Sequence, residues 1–276
     1  MSSAVVDETS GRNSHRPRLQ SPENIPKLSN HGYSLSFSGS QSCLEHLIEH
    51  FGDHIIHLRD EKQRTPLHIA ALHGHAECAS MLLNLGAAPL VVDSEGRTPL
   101  IAAAQYGQSN VVELLLSCKI DLSACDNDGN TALHWACLRK HHQTALLILE
   151  SCQDAKIVDV SNNEKKTPLH LAARNGLVDV TRELLKKGAN VLAIDNEGLT
   201  PALSCAPNNN VAHCLALILQ MLPDCLDKAN KSNASNTNLD QSNAMRMALK
   251  DSMSSLPGLK ELKGLDSNHS SDNEFY

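Results

Sequence analysis

Three histidines each stand three residues after a threonine: Thr65-Pro-Leu-His68, Thr131-Ala-Leu-His134 and Thr167-Pro-Leu-His170. Imidazoles close to hydroxyls, and to thiols such as Cys78, Cys137, Cys205 and Cys214, are the groups used in nucleophilic and acid–base catalysis. A second set, His46, His50 and His54, falls at i, i+4 and i+8 with His57 next, so one helical face could offer imidazoles to a metal. Both readings lose to plainer ones. A single straight helix cannot wrap a tetrahedral ion, which makes a solvated polar face the better account of His46 to His57. The Thr–His pairs recur at a fixed period, and a residue that repeats in this way serves the repeat itself. No nucleophile elbow, phosphate-cradling glycine loop or acid–base carboxylate pair accompanies them. The sequence therefore offers no catalytic residue, and no metal or cofactor is expected.

The elements that hold these residues follow from the period. Aligned on the threonine, units begin at Thr65, Thr98, Thr131, Thr167 and Thr200, spaced 33, 33, 36 and 33 residues apart. Each is preceded by a turn: DEKQR, DSEGR, DNDGN, NNEKK and DNEGL. The threonine can cap a helix, with proline pre-set at its first position in four of the five units. Gly74, Gly107 and Gly176 can end that helix in a left-handed conformation. A longer helix follows, with apolar residues at i, i+3 and i+4, such as Val111, Leu114 and Leu115, or Val180, Leu184 and Leu185. One helix pair cannot bury its own apolar face, so the units must stack.

Turn, Thr cap and helix pair, five times in register, resemble the ankyrin repeat. The resemblance implies an all-α ankyrin-repeat solenoid of stacked helix-turn-helix units with β-turn fingers. The boundaries predicted are a half repeat at 42–59 and repeats at 60–92, 93–125, 126–161, 162–194 and 195–221. Residues 1–41, rich in Ser, Pro, Asn and Arg, and the Ser/Asn-rich, acidic residues 222–276 are expected to be disordered tails. The three extra residues before Thr167 fall in ESCQDAKIVDVSNN and read as a longer loop. Lys140 stands where other units have glycine, which predicts an altered turn.

Composition narrows the function. The chain has 276 residues, a formal charge of −7 and 3% aromatic residues, so its core must rest on Leu, Ala, Val and Ile. No basic run could neutralise successive phosphates, which argues against nucleic acid and an anionic membrane surface as partners. Nine cysteines without a CxxC pair suit reduced thiols in the cytoplasm or nucleus. The polar N-terminus MSSAVVDETSGRN has no signal-peptide core, and no stretch approaches the ~20 apolar residues of a membrane span. The chain is expected to be neither secreted nor transmembrane, and monomeric on its own.

What remains for function is surface. In ankyrin arrays partners bind the concave groove formed by the turn tips and the exposed face of the inner helices. By register these positions are Glu61, Lys62, Arg64, Leu72 and His73; Ser94, Glu95, Arg97, Gln105 and Tyr106; Asn127, Asp128, Asn130, Leu138 and Arg139; and Asn163, Glu164, Lys166, Arg174 and Asn175. Trp135, the single tryptophan, replaces Ile69 and Leu171 and suits packing as well as binding. Ser21 before Pro22 and Ser271 in an acidic context are phosphorylation candidates.

The runs NTALHWACLRKHHQTALLILE and KKTPLHLAARNGLVDVTRELLKKGANVLAIDNEGLTPALSCAPNNNVAHCLALIL, with the insertion before the second, resemble the last repeats of the regulatory ankyrin-repeat subunits of serine/threonine protein phosphatase 6. That resemblance, clearest from Thr131 to Leu219, implies a scaffold that joins the phosphatase catalytic subunit through SAPS-type regulatory subunits and aids substrate recognition. Members of that family are long arrays, whereas this chain holds five repeats and a half. The other reading is an ankyrin adaptor for an unrelated partner.

Overall fold

The computed structural model describes residues 44–45, 48–49, 52–152, 155–205 and 213–221. The segments expected to be tails, with Ser21 and Ser271, lie outside the described residues. Described helices alternate short and long: α1 (Pro66–His73) and α2 (Ala76–Asn84), α3 (Pro99–Gln105) and α4 (Ser109–Ser117), α5 (Ala132–Leu138) and α6 (His142–Ser151), α7 (Pro168–Asn175) and α8 (Val178–Lys186). Residues 213–221 are also helical. The inner helices stack in the order α1–α3–α5–α7, and the outer ones as α2–α4–α6–α8. The array is therefore an ankyrin-repeat solenoid, and among the described residues no extended strand occurs; a single isolated bridge joins Cys125 to Thr131.

Small residues set the closeness of the inner stack. Ala70, Ala71, Ala103, Ala104, Ala136, Ala172 and Ala173 are wholly buried. Their short side chains let neighbouring backbones approach, while Leu67, Leu82, Leu115, Leu133, Leu169 and Leu184 fill the space between inner and outer layers. Thr65, Thr98 and Thr131 cap the inner helices by accepting the backbone N–H of His68, Ile101 and His134.

Two local expectations fail. Lys140 does not alter its turn: its φ of 62° matches the left-handed 70° of Gly107 and Gly176. At Gly107 an added Cβ would lie 2.5 Å from the His141 ring, and at Gly74 it would lie 2.3 Å from Gln108 Oε1, so with glycine both side chains can close over the turn without shifting. Leu177 holds the corresponding register behind Lys140, and the side chain that reaches back comes instead from Asn175. The insertion is no simple loop either: Ala155–Asp159 form a 3-10 helix that buries Val158 and packs on α7. It also fixes the next connection, because Asp159 Oδ1 accepts the Asn190 N–H at 2.8 Å.

Candidate functional site

The histidines that open the catalytic question are structural. His134 Nδ1 accepts the Thr131 backbone N–H at 3.2 Å, and Thr131 Oγ1 lies 2.8 Å from the same nitrogen. Nε2 then donates to the Lys166 carbonyl at 3.0 Å, in the next repeat. His68 bridges in the same way to Arg97 O, and His170 to Leu199 O. A backbone donor on Nδ1 and a carbonyl on Nε2 together fix the neutral, Nε2-protonated tautomer. Burial lowers all three pKa values, that of His134 to about 4, which favours the neutral imidazole that these bonds require. Two of the thiols are poor nucleophiles as well: burial pushes Cys137 and half-buried Cys205 up to about 12, which keeps both protonated at neutral pH. His46, His50 and the side chain of His54 lie outside the described residues. Among the described residues no cluster of three potential metal ligands is found.

The face expected to bind partners is built from fingers. In each, the first residue (Asp60, Asp93, Asp126, Asn162 or Asp195) uses Oδ1 to accept the N–H groups two and four residues on. The fourth residue takes a left-handed conformation, glycine at 96, 129 and 198 but Gln63 and Lys165 in the other two. Neighbouring tips are tied by main-chain bonds: Ser94 N–H to Lys62 O, Asn127 to Glu95, Asn163 to Asp128 and Asn196 to Glu164, each at 2.9–3.0 Å. Side-chain amides of Asn127, Asn163 and Asn196 add a second rung to the preceding finger.

A further ladder lines the ends of the inner helices. Gln108 Nε2 donates to Leu72 O, His141 Nε2 to Gln105 O, and Asn175 Nδ2 to Cys137 O and Leu138 O. These carbonyls belong to helix C-termini, where no intrahelical partner exists, so each repeat completes the helix end of the one before it.

This construction sorts the expected binding residues. Glu61, Lys62, His73, Glu95, Tyr106, Asn127, Asp128, Arg139, Glu164 and Arg174 are exposed, Tyr106 by 49%. Ser94, Leu138 and Asn163 are exposed too, whereas Arg64, Leu72, Lys166 and Asn175 are half-buried. Arg97, Gln105 and Asn130 are not free contact groups: all three are buried. Arg97 binds Asp93, Glu95 and Gln105 Oε1, while Asn130 Oδ1 accepts from Asn162. Trp135 is half-buried with its indole N–H on Asp126 Oδ2 at 2.6 Å, and Arg139 lies over its ring at 5.4 Å. Trp135 thus occupies the donor role that Arg64 and Arg97 hold in the first two fingers. Register assigned these residues to a face, but it carried no sign of which side chains the fingers consume.

Comparisons with known proteins agree with the geometry. The family model described as "Ankyrin repeats (3 copies)" matches overlapping segments 33–124, 86–159, 119–195 and 154–229. The B-cell lymphoma 3 protein homolog of Mus musculus is 27% identical over 170 residues, 61% of this chain and 31% of that protein. An ankyrin repeat protein of Fowlpox virus (strain NVSL) is 32% identical over 91 residues, 33% of this chain and 20% of that protein. The chain thus spans a third or less of the length of these curated relatives.

Proposed function

Because the chain belongs to the ankyrin-repeat family, we propose that it is a non-catalytic adaptor that binds proteins through its finger tips and inner-helix ends. One observation carries this reading. Every buried imidazole of the repeats is spent on the frame, while Tyr106, Leu138 and the Trp135–Arg139 pair stand on the same face with surface to spare. Aromatic, arginine and apolar groups on a rigid support are the usual anchors of protein interfaces. Among the described residues no helix is long and apolar enough to cross a membrane. The cytoplasm or nucleus is the compartment we assign, on cysteine usage.

The finer form of the proposal is a regulatory subunit of protein phosphatase 6 that aids substrate recognition or holoenzyme assembly. Its support is the likeness of residues 131–219 to the last repeats of that subunit family. The other form is an adaptor for an unrelated cytosolic or nuclear partner. Co-purification with the tagged full chain, identified by mass spectrometry, separates them. Recovery of the phosphatase catalytic and SAPS-type subunits is expected for the finer form, and their consistent absence rejects it. A Tyr106→Ala/Leu138→Ala variant that keeps its fold should lose the specific partner; capture indifferent to this change would reject the adaptor face itself.

A further inference from the structure

Each finger spends Oδ1 of its first residue on its own backbone, so the second side-chain position must find a partner elsewhere. In three fingers a donor from the same repeat supplies it. The Arg64 guanidinium meets Asp60 Oδ2 at 2.6 Å, Arg97 meets Asp93 Oδ2 at 2.9 Å, and the Trp135 indole meets Asp126 Oδ2 at 2.6 Å. In the fourth finger the residue is Asn162, whose amide donates to Asn130 at 2.9 Å. The fifth finger has lost both donor positions. Leu199 stands where Arg64 and Arg97 stand, and Ser204, in register with Trp135, turns its hydroxyl back to Thr200 O. Asp195 is 4% exposed, and among the described residues its Oδ2 is the buried side-chain polar atom that has no hydrogen-bond partner. A buried carboxylate oxygen without a donor is costly and calls for an explanation.

A cleft of about 280 Å³ has Asp195 in its wall, together with Leu199, Leu203, Arg174, Lys166 and Glu197. That volume lies just below the ~300–1,000 Å³ of small-molecule pockets and suits a single inserted side chain. Lys166 is drawn to Glu164 and Glu197, at 2.8 and 3.1 Å, and makes no hydrogen bond to Asp195 Oδ2. The acidic groups Asp195, Glu197 and Glu164 outnumber the cations Lys166 and Arg174, within a chain whose formal charge is −7.

We propose that this cleft receives an arginine side chain of a bound partner peptide, its guanidinium donating to Asp195 Oδ2 as Arg97 donates to Asp93. The inference rests on the adaptor reading and names the chemistry of one subsite on that face. Arginine fits better than lysine because Arg97 shows the pattern required: its Nε and Nη2 both reach one carboxylate oxygen, at 3.0 and 2.9 Å. Half-buried Leu199 and Leu203 offer apolar walls to the methylene stem of the incoming residue.

The probe is N-acetyl-arginine amide, titrated into the full-length, isotope-labelled chain. The readout is the backbone amides of Glu197 and Leu199, both of which donate to Asp195 Oδ1. Saturable shifts at these amides are expected, with the neutral isostere N-acetyl-citrulline amide binding at least about tenfold more weakly. Asp195→Asn should abolish the response without loss of fold, since Asn162 makes the same Oδ1 bonds in the fourth finger. Leu199→Arg should abolish it by filling the cleft from within. Absence of saturable shifts, equal binding of citrulline, or arginine binding that survives Leu199→Arg overturns the proposal. So does binding that emerges only in Arg174→Ala, because the cleft would then be occupied by the chain itself. A partner whose capture depends on Tyr106 and Leu138 but ignores Leu199→Arg overturns this subsite alone. Specific arginine binding without any captured protein would instead remove the adaptor reading.

Discussion

His134 and Lys166 belong to successive repeats, and the imidazole Nε2 of one donates to the carbonyl of the other at 3.0 Å. The same ring accepts the Thr131 N–H, so one neutral side chain closes a helix cap and ties two repeats together. Replacing it should unmake both bonds and leave a buried donor and acceptor alone. His134→Ala is expected to cost about 2–4 kcal/mol, and His134→Ile less, because Ile101 fills the same register in the second repeat with 1% exposure. Urea unfolding of the two variants beside the parent checks the order; equal stabilities would refute the bridge.

The pH dependence follows from the same ring. Burial lowers the His134 pKa to about 4, against about 6.5 in an unfolded chain. Between those values the unfolded state binds more protons, so folding stability rises with pH across the window. It is fully present above about 6.5, falls as the solution is acidified toward 4, and levels off below that. For His134 alone the loss is on the order of 3 kcal/mol, and His68 and His170, lowered in the same direction, add to it. Denaturation midpoints at successive pH values should slope accordingly, and His134→Ile should flatten the slope. A level profile in the parent would contradict the assignment.

Gly96 and Gly198 have almost the same φ, 75° and 78°, but different surroundings. A Cβ on Gly96 would meet Asn127 Oδ1 at 2.5 Å and its backbone N at 2.9 Å, whereas nothing lies within 4 Å of one on Gly198. Gly198→Ala should cost only the left-handed conformation, about 1 kcal/mol, and Gly96→Ala measurably more. Conversely, Gln63→Gly and Lys165→Gly should each stabilise by up to ~1 kcal/mol. Thermal unfolding of the four single variants tests the set, and a Gly198→Ala as damaging as Gly96→Ala would sink the contact argument.

Trp135→Leu removes the donor on Asp126 Oδ2 and should destabilise by about 1–3 kcal/mol. Adding Asn130→Arg recreates the pairing seen between Arg97 and Asp93, at the expense of the Asn162 bond to Asn130. The double variant should recover part of the loss, a coupling that a double-mutant cycle measures directly. Strict additivity would show that arginine and tryptophan do not exchange roles at this finger.

The repeat architecture was legible because it is written in local chemistry. Thr65 and Thr98 cap, Pro66 and Pro99 start helices, Gly74 and Gly107 end them, and the period of 33 puts each in register. The conformation at Lys140 was not legible. A lysine at a glycine position signals strain or a new turn equally well, and the side chain that meets this helix end comes from Asn175, a full repeat further along. Register lists Arg97, Gln105 and Asn130 among the surface positions, yet their side chains are buried and bonded among the fingers, because register reports direction and not who satisfies whom. The orphaned oxygen of Asp195 becomes visible only when five fingers are compared atom by atom.

The main-chain bonds between finger tips have a consequence for how such a surface can change. From Lys62 O to Asn196 N–H the rungs use backbone atoms, so the interval from one tip to the next is independent of which side chains project there. The face is a ruler of fixed pitch whose markings can be rewritten. Substitution at Glu61, Glu95, Asp128 or Glu164 alters what is read without altering the spacing at which it is read. A partner selected against this chain must therefore match its pitch first, and only then its chemistry.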